Sequence, residues 1–454
     1  MKISSGVLFG LGLVLLWGCA TNTGPAGARG RPNVILVLLD SLRPDKLGCY
    51  GFREETSPEI DELARNGVRF QSVLTQCSWT RPSVGSILTS RYPRTLGLYT
   101  KGDEILADRF ETLAEVLRHK GYFTLGITAN PNLNAAYNFH QGFDRYVDSD
   151  VVYEWMRPGA GQEKLSTTTR MKSAPEVFEI AAGVLERETR RPFFLFVHLN
   201  DTHVKQATEI SPEFRFLFEN HSREEERIYY RKIRQASSDL GRFVRELLAR
   251  PGCENTLVVI TADHGEGLFD HPLVPESSGH GYLLYESHLR VPLILHHPAG
   301  GLKPHVVSQE ARLIDLAPTI LDYVGIPRRP KDRVGTSLLA LVRGTAEAVK
   351  LPEYEVAETR TGHWNRIAVY SRNWMYIENR DHYPTLKRFE LQSRYRRQNG
   401  RFSDLIGARP EVAAPMKQFL ARWEKKYPDG RVTRGKEKAS RETLEQLKSL
   451  GYVK

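Results

Sequence analysis

Three short segments place oxygen and nitrogen donors directly behind apolar runs: Leu39-Asp40-Ser41, Asn200-Asp201-Thr202-His203 and Thr261-Ala262-Asp263-His264-Gly265-Glu266. Two carboxylates with a neutral imidazole form a donor set for a hard to borderline divalent cation. A fourth segment, Ser78-Trp79-Thr80-Arg81-Pro82-Ser83-Val84, supplies a hydroxyl. Proline suits the first turn of a helix, so Thr80 falls at or just before a helix N-terminus, where backbone amides and the helix dipole favour an anion. A cation lowers the pKa of a bound hydroxyl, and such a hydroxyl can attack a tetrahedral sulfate or phosphate centre.

These donors need strand ends to position them. Residues 33–39 form a mostly continuous apolar run, as in a strand covered on both faces. Further buried strands are expected at 122–129, 192–199, 256–261 and 291–296. Between them, Ser57-Pro58 opens a helix that Gly67 stops, a second runs over 110–119, a long charged one over 224–248, and another near 313–324. Such β-α alternation argues for a mostly parallel sheet with helices on both faces, and ligands in that architecture bind beyond the carboxyl ends of the strands. From about residue 351 the chain is richer in aromatic and basic residues. It reads as a small antiparallel sheet, including 366–370 and 374–379, with a helix over 411–426. Ser440 caps a last short helix with Leu444, Leu447 and Leu450 on one face.

Composition bounds the function. In 454 residues, 40% are hydrophobic and 26% charged, which excludes a disordered chain and a multi-span membrane protein. A net charge of +10 over so large a surface is a mild basic bias, suited to anionic ligands and too diffuse for nucleic acid. Four cysteines cannot make a disulfide framework.

The motifs, taken in order, resemble the sulfatase family of the alkaline phosphatase superfamily. They are Asn33-Val34-Ile35 through Asp40-Ser41-Leu42-Arg43-Pro44-Asp45, Tyr50-Gly51, Pro82-Ser83 with Leu88-Thr89-Ser90-Arg91-Tyr92-Pro93, and Gly142-Phe143-Asp144. Asp201-Thr202-His203, Thr261 to Glu266, and Tyr285-Glu286 with Arg290-Val291-Pro292-Leu293 follow. The resemblance covers residues from about 32 to 330, and the close, Leu-Lys-Ser-Leu-Gly-Tyr-Val, is similar to the tail of some bacterial members. It implies an alkaline-phosphatase-like α/β fold with a small C-terminal α+β subdomain. It also implies Asp40, Asp263 and His264 as metal ligands, Thr80 completing the site, Glu266 supporting it, and Ca, Mn or Zn as the ion. By the same match, His203 and His280 hold the oxyanions of the substrate and protonate the leaving group. His271 and Asp201 are expected either at the substrate or at a second metal. Arg43 and Arg81 are expected anion contacts, with Asn130 a weaker one.

Two departures bear on the chemistry. Sulfatases carry Cys or Ser at the first position of C-x-P-S-R and oxidise it to formylglycine; here that position is Thr80 and the arginine position is Val84. Threonine cannot form that aldehyde, so no formylglycine is expected. Many sulfatases also place a second aspartate where Ser41 stands. A formylglycine hydrate expels sulfate by collapsing to the aldehyde, whereas a threonine ester must be cleaved by water at sulfur or phosphorus, and phosphoryl centres tolerate in-line hydrolysis. The threonine therefore favours phosphoester or phosphonoester substrates, with sulfate esters retained as the family alternative. A phosphoryl transferase acting on a membrane lipid or glycan, and a non-catalytic binding protein, are the competing readings.

The N-terminus reads as an export signal over 1–18, with Lys2 ahead of a short apolar run, and Leu16-Trp17-Gly18-Cys19 resembles a bacterial lipobox. Cys19 is then the lipidation site, 19–31 a flexible tether, and the protein an exported lipoprotein of the cell envelope. The catalytic domain is expected over 32–345 and the C-terminal subdomain with its tail over 346–454.

Overall fold

The computed structural model describes residues 30–99, 102–153, 165–205, 209–270, 279–326, 333–381, 386–394, 404–435, 439–450 and 452. The expected export signal at 1–18 and Cys19 lie outside them. From Arg31 onward the chain forms one compact unit. No helix among the described residues is long and apolar enough to cross a membrane.

An eight-stranded sheet organises the molecule. Its centre is four adjacent parallel strands in the order Thr256–Thr261, Asn33–Leu39, Phe193–Leu199 and Phe123–Thr128, and every residue of each is buried. That is why these segments read as unbroken apolar runs: both faces are covered. The expected mostly parallel sheet is therefore present. The segment expected at 291–296 is divided. Pro292 cannot donate to a ladder, so Arg290–Val291 pairs with Val73–Leu74, and Leu293–His296 joins the large sheet antiparallel to Thr256–Thr261.

The expected helices form at Pro58–Arg65, Leu113–His119, Glu224–Leu248 and Leu316–Tyr323. The second starts three residues later than expected because Thr112 and Glu115 close a capping box at its N-terminus.

Four antiparallel strands, Glu355–Thr361, Trp364–Tyr370, Trp374–Asn379 and Phe389–Ser393, make the second, smaller sheet. Helix Pro410–Lys426 lays Met416, Leu420 and Trp423 on one face of it, against Val356, Ile367, Val369, Tyr376 and Leu391. The other face packs Ala357, Ala368, Tyr370, Met375 and Ile377 against Leu283, Leu284, Tyr285 and Leu289.

The last helix, Arg441–Ser449, is capped by Ser440, whose side chain accepts from the Thr443 amide. Its buried face differs from the one expected. Leu447 and Leu450 are buried, but Leu444 is 41% exposed and Thr443 and Gln446 face inward instead. This helix packs into the main core rather than on the small sheet. Cys49, Cys77 and Cys253 carry free thiols.

Candidate active site

The central strands run parallel and in register, so their carboxyl ends stop at one level. Leu39 pairs with Leu199, Leu38 with Thr261, and Thr128 with His198. Neighbouring strands lie about 4.8 Å apart, so the residues just past the four ends, Asp40, Asn200, Asp263 and Asn130, fall side by side. The amide of Asp40 still belongs to the ladder, donating to the Leu199 carbonyl at 2.9 Å.

Helix Thr80–Thr89 enters this row from its N-terminus, and all ten of its residues are buried. Ser83 ties it down by donating to the Asp263 carbonyl at 2.6 Å. The Thr80 hydroxyl oxygen lies 3.5 Å from Oδ2 of Asp40 and 3.3 Å from Nε2 of His264. His264 Nε2 in turn is 3.8 Å from Asp40 Oδ1 and 3.5 Å from Asp263 Oδ2. His264 Nδ1 meets the Gly265 carbonyl at 2.8 Å and donates there; in the neutral ring Nε2, facing Thr80, then carries the lone pair.

Neighbours hold each carboxylate in place. Asn130 Nδ2 donates to Asp40 Oδ2 at 2.5 Å and to Asn200 Oδ1 at 2.9 Å. Ser41 adopts a left-handed backbone with φ 60°; its hydroxyl donates to Asp40 Oδ1 at 2.5 Å and its amide to Asp263 Oδ1 at 3.2 Å. The serine at the position of a second aspartate thus serves the first one. His198 Nε2 lies 3.2 Å from Asp263 Oδ2.

Asp40, Thr80, Asp263 and His264 are all fully buried. Burial first, and then the charge of Asp263, pushes Asp40 above the usual carboxylate range. Burial acts against Asp263 too, but His264 and His198 outweigh it and hold that carboxyl low. Burial likewise opposes a charged His264, and Asp263 and Asp40 overcome it, raising the imidazole. Two buried carboxylates this close call for a positive partner.

The donor set fits a divalent ion. Oxygen and nitrogen atoms bound side by side to an ion at ~2.1–2.5 Å lie about 3.0–3.5 Å apart; Thr80 lies 3.5 Å from Asp40 and 3.3 Å from His264, and His264 3.5 Å from Asp263 and 3.8 Å from Asp40, within or slightly above that range. Donor atoms of Asp40, His198 and Asp263 also lie within 4.8 Å of one another, as do those of Asp40, His203 and His280.

His203 and His280 complete the ring around Thr80, their ring centroids 4.8 Å apart. His203 Nδ1 accepts from the Lys205 amide at 3.1 Å, which puts the ring proton on Nε2; that atom is buried without a hydrogen-bond partner. Burial first, and then Lys232, depresses His203 well below the ordinary histidine range, so it offers a neutral N–H rather than the protonated ring expected from the sequence. His280 lies 4.3 Å from the His264 ring and sets Nδ1 3.1 Å from Oε2 of Glu266. The small sheet fixes its segment: the hydroxyls of Thr359 and Thr361 both donate to the Gly281 carbonyl at 2.7 Å.

Other expected residues are engaged elsewhere. Arg43 is buried and ion-paired with Asp45 and Asp270, and also donates to the Glu266 carbonyl at 3.0 Å. Arg81 donates to the carbonyls of Gly102 and Asn132 and stacks 3.6 Å from the Tyr137 ring centre. Both guanidiniums hold loops together. Asp201 accepts from the Ala174 amide at the start of helix Ala174–Arg187, and burial pushes its carboxyl up to about 7. His271 lies outside the described residues.

Sequence reasoning missed His198, Asn200 and Tyr452. His198 sits inside an apolar strand, Phe193–Leu199, where it reads as a core residue. Asn200 was legible only as part of a polar strand end. Tyr452 stands 172 residues beyond His280 in the chain, yet its hydroxyl lies 2.8 Å from Nε2 of that histidine.

Comparison with known proteins identifies the family and the fold. The sulfatase family model matches residues 32–326. N-acetylgalactosamine-6-sulfatase of Canis lupus familiaris is 26% identical over 367 residues, covering 72% of this chain and 68% of that protein. The ulvan-active sulfatase of Formosa agariphila is 25% identical over 338 residues, covering 69% and 65%. Among solved structures, the phosphonate monoester hydrolase of Silicibacter pomeroyi superposes with a TM-score of 0.66 at 19% identity, over 90% of this chain and 100% of that one. A protein solved with its substrate D-glucosamine-2-N,6-O-disulfate superposes with a TM-score of 0.66 at 16% identity, over 90% and 100%. The strand-end donors and a family match spanning most of the chain lead to one assignment: this chain belongs to the sulfatase family, a divalent-metal-dependent family of ester hydrolases.

Proposed function

We propose that the chain hydrolyses an anionic ester by nucleophilic attack from Thr80, and that a phosphoester or phosphonoester is the preferred substrate. The observation that carries this reading is the Thr80 hydroxyl, 3.5 Å from Asp40 and 3.3 Å from His264, at the N-terminus of a buried helix. A divalent ion held by Asp40, Asp263, His264 and Thr80 would lower the pKa of that hydroxyl and offset the charge of the ester. Calcium, manganese and zinc all suit carboxylate and imidazole donors.

The remaining steps use the chain's own groups. Thr80 Oγ1 gives its proton to Asp40 Oδ2, toward which it points, and attacks phosphorus in line with the leaving alcohol; the P–O bond to that alcohol breaks as the Oγ1–P bond forms. The alcohol leaves with a proton, for which the His280 imidazole is the donor in this reading. The unpartnered Nε2–H of His203 supports the reading that it donates to an oxyanion of the substrate and strengthens as charge develops. Water then attacks phosphorus on the opposite side and gives one proton to His280, and the Oγ1–P bond breaks as Asp40 returns its proton to the hydroxyl. This second step distinguishes threonine from formylglycine, because the secondary alcohol has no aldehyde to collapse to. The solved phosphonate monoester hydrolase shows that this fold houses chemistry at phosphorus.

The export signal, Cys19 and the small, polar stretch behind it support placing this activity on an envelope lipoprotein that meets glycan- or lipid-linked esters. The deciding experiment is a matched panel of p-nitrophenyl sulfate, a phosphate monoester, a phosphate diester and a phosphonate monoester, each with added divalent ions. Metal-dependent turnover of a phosphorus ester that Thr80→Ala abolishes is the expected result. Undiminished turnover in Thr80→Ala would remove Thr80 as nucleophile, and turnover of the sulfate alone would remove the phosphorus preference.

A further inference from the structure

The last helix reaches the active site although sequence and sheet order both assign it to the far end of the chain. Ser440 and Thr443 donate to Oδ2 of Asp150 at 2.6 and 2.8 Å, and Asn134 Nδ2 donates to the Thr443 hydroxyl at 3.1 Å. Ser149 donates to Gln446 Oε1 at 2.7 Å, and the Gln446 amide returns to the carbonyls of Ser149 and Thr168. Leu447, Leu450 and Tyr452 belong to the main core cluster. Buried polar groups satisfied this fully are costly to pull apart, so the helix is a fixed pedestal rather than a flap laid across an opening.

Beyond the pedestal the chain turns back, the Tyr452 amide donating to the Leu447 carbonyl at 2.9 Å. The phenol, 6% exposed, then stands among the site residues. Its oxygen is 2.8 Å from Nε2 of His280. Its ring centre lies 6.4 Å from that of Trp79 and 6.3 Å from that of His203. With Glu266 at Nδ1 and Tyr452 at Nε2, both nitrogens of His280 are engaged, and rotation of the ring breaks both bonds.

We propose that the C-terminal segment is a working part of the catalytic pocket, with Tyr452 a positioning residue that holds the His280 imidazole in place beside Thr80. The inference rests on the Thr80 and His280 roles given above and adds the last helix and its tyrosine to them. An ester entering the site meets a wall supplied by the end of the chain.

The test uses the full chain with Tyr452→Phe, which keeps the ring and its packing and removes one hydroxyl. With whichever panel ester the wild type turns over, kcat is expected to fall on the order of 10–100-fold, with KM within about twofold and the melting temperature unchanged. In a His280→Ala background the same change is expected to add nothing, because Tyr452 acts through His280. Wild-type kcat in Tyr452→Phe, or a further full loss in the His280→Ala background, overturns the proposal while leaving Thr80 as nucleophile. A chain ending at Leu450 that gains kcat/KM would make the segment a plug, and also overturns it.

If the wild type turns over none of the esters, the threonine reading fails, and the positioning role is read from binding of inorganic phosphate by calorimetry. Weaker binding by Tyr452→Phe and by His280→Ala, with no further loss in the double variant, supports it. Equal affinity in the single variants, or no binding by the wild type, overturns it.

Discussion

The Thr80 hydroxyl lies 3.3 Å from Nε2 of His264, although 184 residues separate the two in the chain. A helix N-terminus and a strand end meet there, and neither element alone carries any sign of the other. Thr80→Ser keeps the oxygen and is expected to retain measurable turnover of the panel esters. Thr80→Ala is expected to lose on the order of 10³-fold or more in kcat with little change in melting temperature. Steady-state kinetics beside a thermal melt checks both.

Asp40 and Asp263 are both fully buried and share this site, so metal binding and stability are linked. Chelation is expected to lower the melting temperature, and readdition of a divalent ion to restore it. At a hundred times its Kd an ion contributes about 2.7 kcal/mol. Asp263→Asn is expected to abolish the restoration. Calorimetry across an ion titration measures it, and a melting temperature indifferent to both chelator and ion would contradict the site.

Replacing His203 by Ala removes the buried Nε2–H that has no hydrogen-bond partner among the described residues. Loss of one such donor costs about 10²–10³-fold in kcat. His203→Gln, which keeps an N–H of similar reach, is expected to recover part of it. Equal loss in both variants would mean that shape rather than the hydrogen bond matters.

Gly265, between His264 and Glu266, leaves no room for a side chain. A Cβ there would stand 2.0 Å from the Ser287 carbonyl oxygen and 2.9 Å from its carbon, both backbone atoms. Gly265→Ala is expected to destabilise by about 1–3 kcal/mol and to displace His264. Urea denaturation reads the first effect and loss of turnover the second.

Burial, reinforced by Asp150, raises Asp148 from 3.8 to about 7. The folded chain therefore binds a proton there that the unfolded chain releases at lower pH. This contribution to stability is complete below about pH 4 and is lost as the pH rises through 7. Asp148 also accepts from the Ala135 amide at 2.7 Å, a bond that the side-chain carbonyl of Asp148→Asn can replace. That variant is expected to lose less stability than the wild type between pH 4 and 7, measured by denaturant melts across the range. Parallel curves would place the proton elsewhere.

Much of the architecture was legible in the chain because it follows from local chemistry. The four central strands appear as apolar runs since both their faces are covered. Ser440 caps the last helix by a side-chain rule that needs no tertiary context. The polar residues that meet at the strand ends were legible too, because a carboxylate or imidazole straight after a buried strand stands out from the apolar run before it. Arg43 and Arg81 misled: a guanidinium near an anion site suggests an anion contact, but Asp45, Asp270 and loop carbonyls take their donors.

By itself, then, the sequence determined the alternation of strands and helices, the donor types at their ends, and the threonine at position 80. Only the tertiary structure decided which donors meet. The parallel register levels the strand ends, the small sheet clamps the segment carrying His280, and the last helix turns Leu444 outward and Tyr452 inward. Those outcomes depend on packing between segments hundreds of residues apart, and local pattern holds no record of such contacts.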